Sequence, residues 1–421
     1  MIDLVLRDCH LPGRPERVDL AIADGRIVAL GAAGLTAREA IDLDGRLVTP
    51  GLVEAHIHLD KALIEGRVTV TAGTLEEAIR LTAEAKRRFT VEDIRERARR
   101  VLDLAVAAGT TAMRTHVEVD PIVGLAGMEA LLPLKEEYAP ALDLQICAFA
   151  QEGILQAPGT EGLLRRALSM GADLVGGCPY NDTDGIEHIA VVFGLARAYG
   201  VDADFHVDFA DEPEHLHIRE IIEQTTRSSW QGRVIVGHLT ELAALPDFEQ
   251  TEIAADIAAA GIGVVCLPAT DLYLMGRRDS TNVRRGLTPI RRLLAAGVTV
   301  ALATNNVRNP FTPVGTADLA HMTFLAAVGA HMGTPEDIRQ LVAAITTAPA
   351  RMLRLPDVPT TPAELGVGHR ADLVVWDCQD LDEIVVRLAP RHLVLKHGRV
   401  SVECERSHRE RWRDTRDKLS R

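Results

Sequence analysis

The chain has 421 residues, of which 47% are hydrophobic and 25% charged, a composition typical of a folded protein with a large buried core. Its formal net charge of −14 provides no broad positive surface for nucleic acid or an anionic membrane, so we predict neither as a partner. Six cysteines without a CxxC pair, and no run of 18 apolar residues, indicate a cytoplasmic protein without a transmembrane helix.

Short strands joined by turns are predicted at both ends of the chain. Near the N-terminus, Asp24-Gly25 and Asp44-Gly45 each lie between alternating apolar residues, the pattern of a β-hairpin. Near the C-terminus, ADLVVWDC and HLVLKHGRVSV are strand-like, with a turn at Gly398. We therefore predict one small β-sandwich domain formed by residues 1–50 together with residues 360–405.

The middle of the chain, residues 51–359, alternates apolar strand-like runs with segments of helical periodicity such as LEEAIRLTAEAKRRF, several of which end at a glycine. Eight such runs occur, at residues 52–58, 111–117, 144–150, 174–177, 203–207, 234–238, 263–267 and 298–303. Eight βα units predict an α/β fold, the (β/α)8 TIM barrel. A doubly wound sheet is the alternative, but no GxGxxG follows the first strand. Residues 406–421 are predicted to form a charged C-terminal helix or tail.

The strongest candidate for chemistry is the segment VEAHIHLDK, in which His56 and His58 are two residues apart on a predicted strand. Their side chains share one face of the strand, which suits two ligands of one metal ion, although two polar residues on a solvated face would give the same pattern. Other predicted strands also end in polar residues, namely His116, Gln151, His206, Asp208, His238, Asn305 and Asn306. Because the strands of a barrel end at one rim, this regularity favours a metal site.

A nitrogen-rich ligand set is formed by His56, His58 and His206, and it suits one divalent metal ion. We predict zinc or iron, with manganese or cobalt as alternatives. Water at an open fourth position would have a lowered pKa and could supply the nucleophile. His238, one strand further round, could orient that water or stabilise a developing oxyanion; the alternative is a histidine packed under a loop.

These motifs resemble the cytosine deaminase branch of the amidohydrolase superfamily, which includes N-isopropylammelide isopropylaminohydrolase. The matching runs follow the family order through nearly the whole barrel, and they are THVEVD, LKEEYAPALDLQICAFAQEGIL, GADLVGG, HVDFADEP, GHLT and NNVRNPFTPVGTADL. The resemblance implies the barrel, the small β-domain and a homo-oligomer.

The resemblance also implies roles for individual residues. One divalent metal would be held by the three predicted ligands and by Asn305 at the end of strand eight. His238 would assist the water, and Gln151 would hydrogen-bond the amide edge of a pyrimidine-like ring.

Two positions depart from the family pattern. The deaminases carry Asp where this chain has Asn305, and Glu where it has Phe209. Neither replacement can accept a proton as a carboxylate does, so deamination of cytosine itself is not expected. Three acids could substitute, namely Glu241, Glu118 and Asp208, and among them we favour Glu241, three residues past His238.

Further residues are predicted to contact the substrate. Lys61 could pair with a substrate anion, or with a nearby acid instead. Arg308 could recognise a carboxylate or a urea-type oxygen through its planar fork of donors. Phe209 and Phe311 would form an apolar wall, and His116 would face the substrate from strand two.

We therefore predict a metal-dependent hydrolase of a non-peptide C–N bond, with metal-activated water as the nucleophile. The substrate would be a small nitrogen-rich ring, such as a cyclic amide, a cyclic ureide, or an amino- or alkylamino-substituted heterocycle. One alternative is a catalytically impaired homologue that binds a heterocycle or regulates a partner, which Asn305 and Phe209 favour. The other is a metal-independent lyase or isomerase on the same barrel.

Overall fold

The computed structural model describes residues 1–31 and 34–404, which form three β-sheets and their flanking helices. The predicted helix or tail at residues 406–421 lies outside the described residues. The strands are β1 (Ile2–Cys9), β2 (Val18–Ala23), β3 (Arg26–Gly31), β4 (Ala37–Asp42), β5 (Val48–Pro50), β6 (Leu52–Ile57), β7 (Thr110–Glu118), β8 (Asp143–Ala150), β9 (Leu174–Gly177), β10 (Asp202–Val207), β11 (Val234–His238), β12 (Gly263–Cys266), β13 (Val300–Leu302), β14 (Leu373–Trp376), β15 (Arg391–Lys396) and β16 (Arg399–Glu403).

Helices follow the barrel strands along the chain. They are α1 (Leu75–Lys86), α2 (Val91–Ala107), α3 (Ala126–Tyr138), α4 (Thr160–Met170), α5 (Gly185–Tyr199), α6 (Ile218–Arg227), α7 (Asp247–Ala259), α8 (Pro268–Leu274), α9 (Ile290–Ala295), α10 (Leu319–Gly329), α11 (Pro335–Ala343), α12 (Thr347–Met352) and α13 (Asp382–Val386). The predicted glycine stops are confirmed for α4 and α5, where Gly171 and Gly200 adopt left-handed φ of 113° and 69°. In the described part of the chain, no helix is long and apolar enough to cross a membrane.

Strands β6 to β13 form one parallel sheet in chain order, and each lies within one of the eight predicted runs or extends it by one residue at one or both ends. The sheet closes where β6 meets Asn305, which lies three residues after the end of β13. Asn305 N donates to His56 O and His58 N donates to Asn305 O, each over 2.9 Å. The predicted barrel is therefore confirmed, and this closure contradicts the open, doubly wound alternative.

Glu54 holds the same closure from inside the barrel. Its buried carboxylate accepts hydrogen bonds from His56 N at 3.0 Å and from Thr304 N at 3.1 Å, and a third from Thr304 Oγ1 at 2.7 Å. Burial raises the pKa of Glu54 to about 7, although these donors act in the opposite direction. One side chain thus connects the first and last barrel strands just below the histidine segment.

Replacing Glu54 with alanine is expected to weaken this closure. The substitution leaves two buried backbone N–H groups and one hydroxyl without their acceptor, so the free energy of unfolding should fall by about 3 kcal/mol. Chemical denaturation followed by circular dichroism measures the change. The exposed Glu39→Ala variant on β4 is the control and should stay within about 0.5 kcal/mol of the parent. Equal stability of the two variants would contradict the closing role.

The other two sheets are four-stranded, in the orders β3-β2-β1-β4 and β16-β15-β14-β5. Asp24-Gly25 and His397-Gly398 make the predicted hairpins, between β2 and β3 and between β15 and β16, with positive φ at both residues of each turn. The hairpin predicted at Asp44-Gly45 is wrong. This turn leads from β4 to β5, which belong to different sheets, because β4 pairs in parallel with β1 and β5 pairs with β14.

The two small sheets share one apolar core. It combines side chains from the N-terminal strands, such as Leu6 and Leu20, with Leu373, Val375 and Leu393 from the C-terminal strands. The N-terminal strands and the last strands of the described residues therefore pack together. The division into residues 1–50 plus 360–405 and residues 51–359 stays a prediction.

Candidate active site

Five buried histidines lie together near the carboxyl ends of the barrel strands: His56, His58, His116, His206 and His238. His56 is central, with its ring centroid 4.1 Å from that of His116, 4.3 Å from that of His206 and 6.1 Å from that of His238. The parallel barrel brings these strand ends to one rim, which is why residues so distant in the sequence meet.

Several polar atoms in this cluster have no hydrogen-bond partner among the described residues. Both ring nitrogens of His56, Nδ1 of His58, Nε2 of His206 and Oδ1 of Asn305 are buried and unpaired. Burial disfavours the charged imidazoles, and neighbouring histidines repel the added charge, so the pKa values of these three histidines lie well below their usual range. Neutral imidazoles with free nitrogens are the form that binds a metal ion, so the donor set fits a metal centre.

One group of potential ligands differs from the predicted set by one residue. Ligand atoms of His56, His206 and His238 lie within 4.8 Å of one another. His58, predicted as a ligand, is not in that group, although its ring centroid lies 5.1 Å from that of His206. The cluster therefore offers four imidazoles for one ion, those of His56, His206, His238 and His58.

His116 lies deeper in the barrel than predicted. Its Nε2 is 3.1 Å from Asp204 Oδ1, a close approach without good hydrogen-bond alignment. Asp204 precedes His206 by two residues on the same face of β10, one layer further inside. Although His56, His116 and Asp204 also form a ligand group, Arg114 Nη1 already donates to Asp204 Oδ2 at 2.9 Å. These contacts favour a structural role for His116 over the predicted contact with substrate.

Asn305 is bonded through its backbone to the histidine segment, and its amide oxygen is buried without a hydrogen-bond partner among the described residues. Its backbone is left-handed, with φ of 59°, and is held by the two hydrogen bonds that close the barrel. The neighbouring Asn306 is occupied, because its Oδ1 accepts a hydrogen bond from Asn309 Nδ2 at 2.7 Å. Of the two asparagines, Asn305 is thus the one with a free oxygen at the position where the family carries Asp.

His238 is held by contacts on several sides. Its Nδ1 is 2.9 Å from Oδ1 of the buried Asp271, and its ring stacks on Phe209 with centroids 3.8 Å apart. Thr288 Oγ1 donates to its carbonyl, and its φ of 75° is followed by a second positive φ at Leu239. No motif in the sequence selects Asp271, which lies five residues beyond β12 in α8.

Glu241, the favoured replacement base, is bound elsewhere. Its Oε1 is 2.7 Å from His215 Nδ1, and its Oε2 accepts from His215 N at 2.9 Å. The ion pair with Glu241 is also the main reason that the pKa of the half-buried His215 is raised. Glu241 therefore stabilises the loop after β10. These contacts count against its predicted role as the base.

The other two candidate acids are also engaged. Asp208 accepts hydrogen bonds from His217 N at 2.7 Å and Ile218 N at 3.1 Å at the start of α6, and burial raises its pKa to about 7. Glu118 bonds the ammonium groups of Lys61 and Lys86, each at 2.8 Å. A structural role accounts for the contacts of both residues, and neither contacts the cluster as a free carboxylate.

Lys61 and Gln151 form a polar pair beside the histidines. Lys61 Nζ donates to Gln151 Oε1 at 3.3 Å and lies 4.5 Å from the ring centroid of Phe311. Gln151 Nε2 in turn donates to Cys178 Sγ at 3.3 Å. Lys61 is among the repulsive neighbours that lower the pKa of His58, which places its charge near the cluster.

Phe209 and Phe311, predicted to form an apolar wall, pack in one cluster, whereas Arg308 is largely exposed. Phe209 and Phe311 belong to one buried apolar cluster with Leu274 and Met275. The Arg308 side chain is 55% exposed, and its Nη2 pairs with Glu65 Oε1 at 2.7 Å. A substrate oxygen would therefore have to compete with Glu65 for this guanidinium.

A separate groove of about 1000 Å³ lies beside the barrel, between the loop after β11 and helices α7 and α9. Its lining includes Thr240, Ala254, Arg284 and Pro289, and it contains none of the five histidines. This groove and the imidazole cluster are thus different places on the molecule.

Comparisons with known proteins agree over most of the chain. The model of the Amidohydrolase family matches residues 39–402. The N-isopropylammelide isopropyl amidohydrolase of Pseudomonas sp. strain ADP is 28% identical, over 96% of this chain and 98% of its own length. Pterin deaminase of Rhizobium rhizogenes is 29% identical, over 91% and 87%. A solved structure of 5-methylcytosine deaminase from Klebsiella pneumoniae, liganded with 5-fluorocytosine, has a TM-score of 0.91 at 31% identity and covers 96% of this chain and 99% of that one.

Proposed function

Because this chain belongs to the amidohydrolase family, we propose that it is a metal-dependent hydrolase of a non-peptide C–N bond in a small nitrogen-rich ring. The substrate class is a cyclic amide, a cyclic ureide, or an amino- or alkylamino-substituted heterocycle. The observation that carries the proposal is the cluster of buried, unpaired imidazole nitrogens at the barrel rim. Relatives named for N-isopropylammelide, pterin and 5-methylcytosine support the choice of substrate class.

We assign His56, His58 and His206 as holders of one divalent ion, with Asn305 Oδ1 as an additional neutral donor. Zinc or iron fits this nitrogen-rich set, and manganese or cobalt is the alternative. When bound, the ion supplies Lewis-acid chemistry, activating water and polarising the substrate. His238 lies beside this set, and we propose that its ring carries a proton between the attacking and leaving groups.

Lys61 and Gln151 are the proposed contacts for the substrate. An ammonium group has three donors, of which Glu118 and Gln151 receive two, so one N–H is available for a substrate oxygen. Gln151 likewise has a second amide N–H beyond the one directed at Cys178. Two convergent donors suit the carbonyl of an amide or a ureide, while Phe209 and Phe311 would cover a flat or partly aliphatic ring.

The replacement of the family's Asp and Glu by Asn305 and Phe209 limits the reactions that the site can catalyse. Phe209 stacks on His238 where the family carries Glu, so a second acid–base group is not available on that side. Cytosine deamination by the family route is accordingly disfavoured. Ring opening, or loss of an alkylamine, is better suited to a site in which one imidazole handles protons.

Replacing Asn305 with Asp is expected to strengthen metal binding. The added negative charge would face neutral imidazoles, and the dissociation constant for zinc should fall by roughly tenfold or more. Competition with a chromophoric chelator measures this constant. Asn306→Asp is the matched control, because Asn306 is bonded to Asn309 and is not a proposed ligand. An unchanged affinity in Asn305→Asp would remove Asn305 from the site.

A panel assay tests the proposed activity. The zinc- or iron-loaded protein is incubated with N-isopropylammelide, 5-methylcytosine, pterin, hydantoin and creatinine, and released ammonia, amine and ring-opened product are quantified. Turnover of at least one compound, lost on chelation, is the expected result. No product from any compound would favour the alternative that Asn305 and Phe209 suggest, a catalytically impaired homologue that binds a heterocycle. Cytoplasmic location and homo-oligomeric assembly stay predictions, and light scattering measures the second.

A further inference from the structure

We propose that Asp271 is a positioning residue for His238. Its Oδ1 accepts a hydrogen bond from the Nδ1–H group of the ring, so that Nε2 is the unprotonated nitrogen that faces the site. Asp271 is outside the HxH segment and outside the strand-end pattern to which His238 belongs. The catalytic consequence of this pairing rests on the proposed function, whereas the proton position on His238 does not.

The edge contact between the two residues is direct and buried. Asp271 Oδ1 lies 2.9 Å from His238 Nδ1, and both side chains are almost completely inaccessible to solvent. An ionised carboxylate can only accept a hydrogen bond, so this contact selects the tautomer with the proton on Nδ1. The other oxygen, Oδ2, has no partner among the described residues. Burying an aspartate with one unpaired oxygen costs free energy of folding. A functional role of the side chain would explain why this cost is tolerated.

The face of the ring is fixed by a second contact. Phe209 stacks on His238 at a centroid distance of 3.8 Å with an angle of 24° between the rings. Phe209 in turn packs against Leu274 and Met275, which follow Asp271 along the chain. The same short segment therefore supplies the acceptor for the ring edge and supports the aromatic side chain that covers the ring face.

The backbone of His238 is held in a sparsely populated conformation. His238 and Leu239 have φ of 75° and 58°, and left-handed backbone in non-glycine residues usually persists only where the surroundings enforce it. Thr288 Oγ1 donates to the carbonyl of His238 and Leu239 N donates to Val207 O at 3.1 Å. The ring edge, the ring face and the backbone of His238 are thus each constrained, as expected if the orientation of this ring is important for proton transfer.

This arrangement offers a physical account of the lost carboxylates. The family positions 209 and 305 carry Phe and Asn here, and Glu241, Glu118 and Asp208 are bound elsewhere. Asp271 is then the buried carboxylate that contacts a histidine of the cluster from the α8 side. Through that contact it holds the one ring that we assign to proton transfer in a single orientation.

The test compares Asp271→Ala and Asp271→Asn in zinc-loaded protein labelled with ¹⁵N-histidine. Long-range ¹H–¹⁵N correlation spectra report which nitrogen of His238 is protonated, and the His238→Gln variant identifies its signals. In the parent we expect the Nδ1–H tautomer. Asp271→Ala should convert most of the population to Nε2–H or to a mixture, whereas Asp271→Asn should retain Nδ1–H because its amide oxygen can still accept.

Kinetics on any compound turned over in the panel provide the second readout. Asp271→Ala should lower kcat by roughly 10²-fold or more with KM changed by less than about threefold, and Asp271→Asn should recover part of kcat. Thr270→Ala is the matched control: it removes a buried hydroxyl from the same helix, which bonds Thr312 at 2.7 Å and does not touch His238. It should leave the tautomer and kcat unchanged.

The possible results distinguish failure of the Asp271–His238 pairing from failure of the proposed activity. An Nε2–H tautomer in the parent, or the same tautomer in Asp271→Ala as in the parent, would overturn the proposal whether or not any substrate is found. A tautomer change as predicted, together with no turnover of any panel compound by the parent, would support the pairing and remove the proposed activity. Equal tautomer shifts in Thr270→Ala and Asp271→Ala would assign the effect to the helix and also overturn the proposal.

Discussion

Replacing His206 with alanine is expected to abolish stoichiometric metal binding and to lower kcat/KM by roughly 10⁴-fold or more. His206 contributes a buried, unpaired Nε2 to the proposed site, and its ring centroid is 4.3 Å from that of His56. A two-imidazole remainder holds a divalent ion weakly, since three protein ligands are usual even in open catalytic zinc sites. Elemental analysis of the purified variant and the panel assay measure the two effects.

Two further substitutions separate ligands from neighbours. His58→Ala should also lose the metal, whereas His238→Ala should retain about one ion per chain and lose activity only, because we assign His238 to proton transfer. His188→Gln is the matched control, a buried histidine that pairs with Asp182 at 2.8 Å outside the cluster, and it should keep its metal. Metal retention in His58→Ala together with loss in His238→Ala would replace the predicted ligand set by the group of His56, His206 and His238.

Replacing Lys86 with methionine is expected to give the largest loss of stability. Lys86 Nζ is buried and bonds three carboxylates, with distances of 2.8 Å to Glu118 Oε2, 2.7 Å to Asp120 Oδ2 and 2.6 Å to Glu152 Oε1. Burial alone would lower the pKa of Lys86, but the three carboxylates raise it instead. Without the ammonium, Asp120 and Glu152 lose this ion pair and Glu118 keeps only its pair with Lys61, so unfolding at pH 7 should cost about 4 kcal/mol less than in the parent.

The same loss should depend on pH in a defined direction. Burial alone would raise the pKa of Glu118, but Lys61 and Lys86 hold it at about 2 in the parent. Removing Lys86 takes away a positive charge that lowers the pKa of Glu118, so the folded-state pKa of Glu118 should rise. The low pKa of Glu118 stabilises the parent at neutral pH, and this contribution is lost as pH falls, so the deficit of Lys86→Met should shrink as the pH is lowered from 7.

Lys135→Met is the control for this prediction. Lys135 pairs with Asp173 at 2.6 Å, but both side chains remain 30% exposed, so its loss should cost about 1 kcal/mol or less. Denaturation with urea at several pH values measures both variants. A deficit in Lys86→Met no larger than that of Lys135→Met would show that the carboxylates are not compensated by Lys86.

The barrel could be predicted because its signals are local and repeated. Each strand is an apolar run, each following helix has its own period, and Gly171 or Gly200 stops a helix in the left-handed conformation. The prediction of a hairpin at Asp44-Gly45 was wrong because strand pairing there is not determined by local sequence. A turn is encoded locally, but the partner of β5 is β14, more than 300 residues away, and no local pattern specifies it.

The candidate site was only partly predictable. Side-chain alternation along a strand correctly groups His56 with His58 and brings His206 and His238 to the same rim. It fails beyond a strand end: Leu239 turns the chain with φ of 58°, and Glu241 then lies in a short 3₁₀ helix that directs it toward His215. Asp271 shows the same limit, because its approach to His238 depends on how α8 packs.

The measurement that tests the account most directly is oxygen labelling of the product. The metal-loaded protein is incubated in H₂¹⁸O with the panel compound that it converts fastest, beside a chelated sample and the His206→Ala variant. We expect one ¹⁸O atom at the carbon that loses nitrogen, together with release of ammonia or amine or opening of the ring. The chelated sample and the variant should give no product. Unlabelled product, or equal turnover after chelation, would contradict metal-dependent C–N hydrolysis at the histidine cluster.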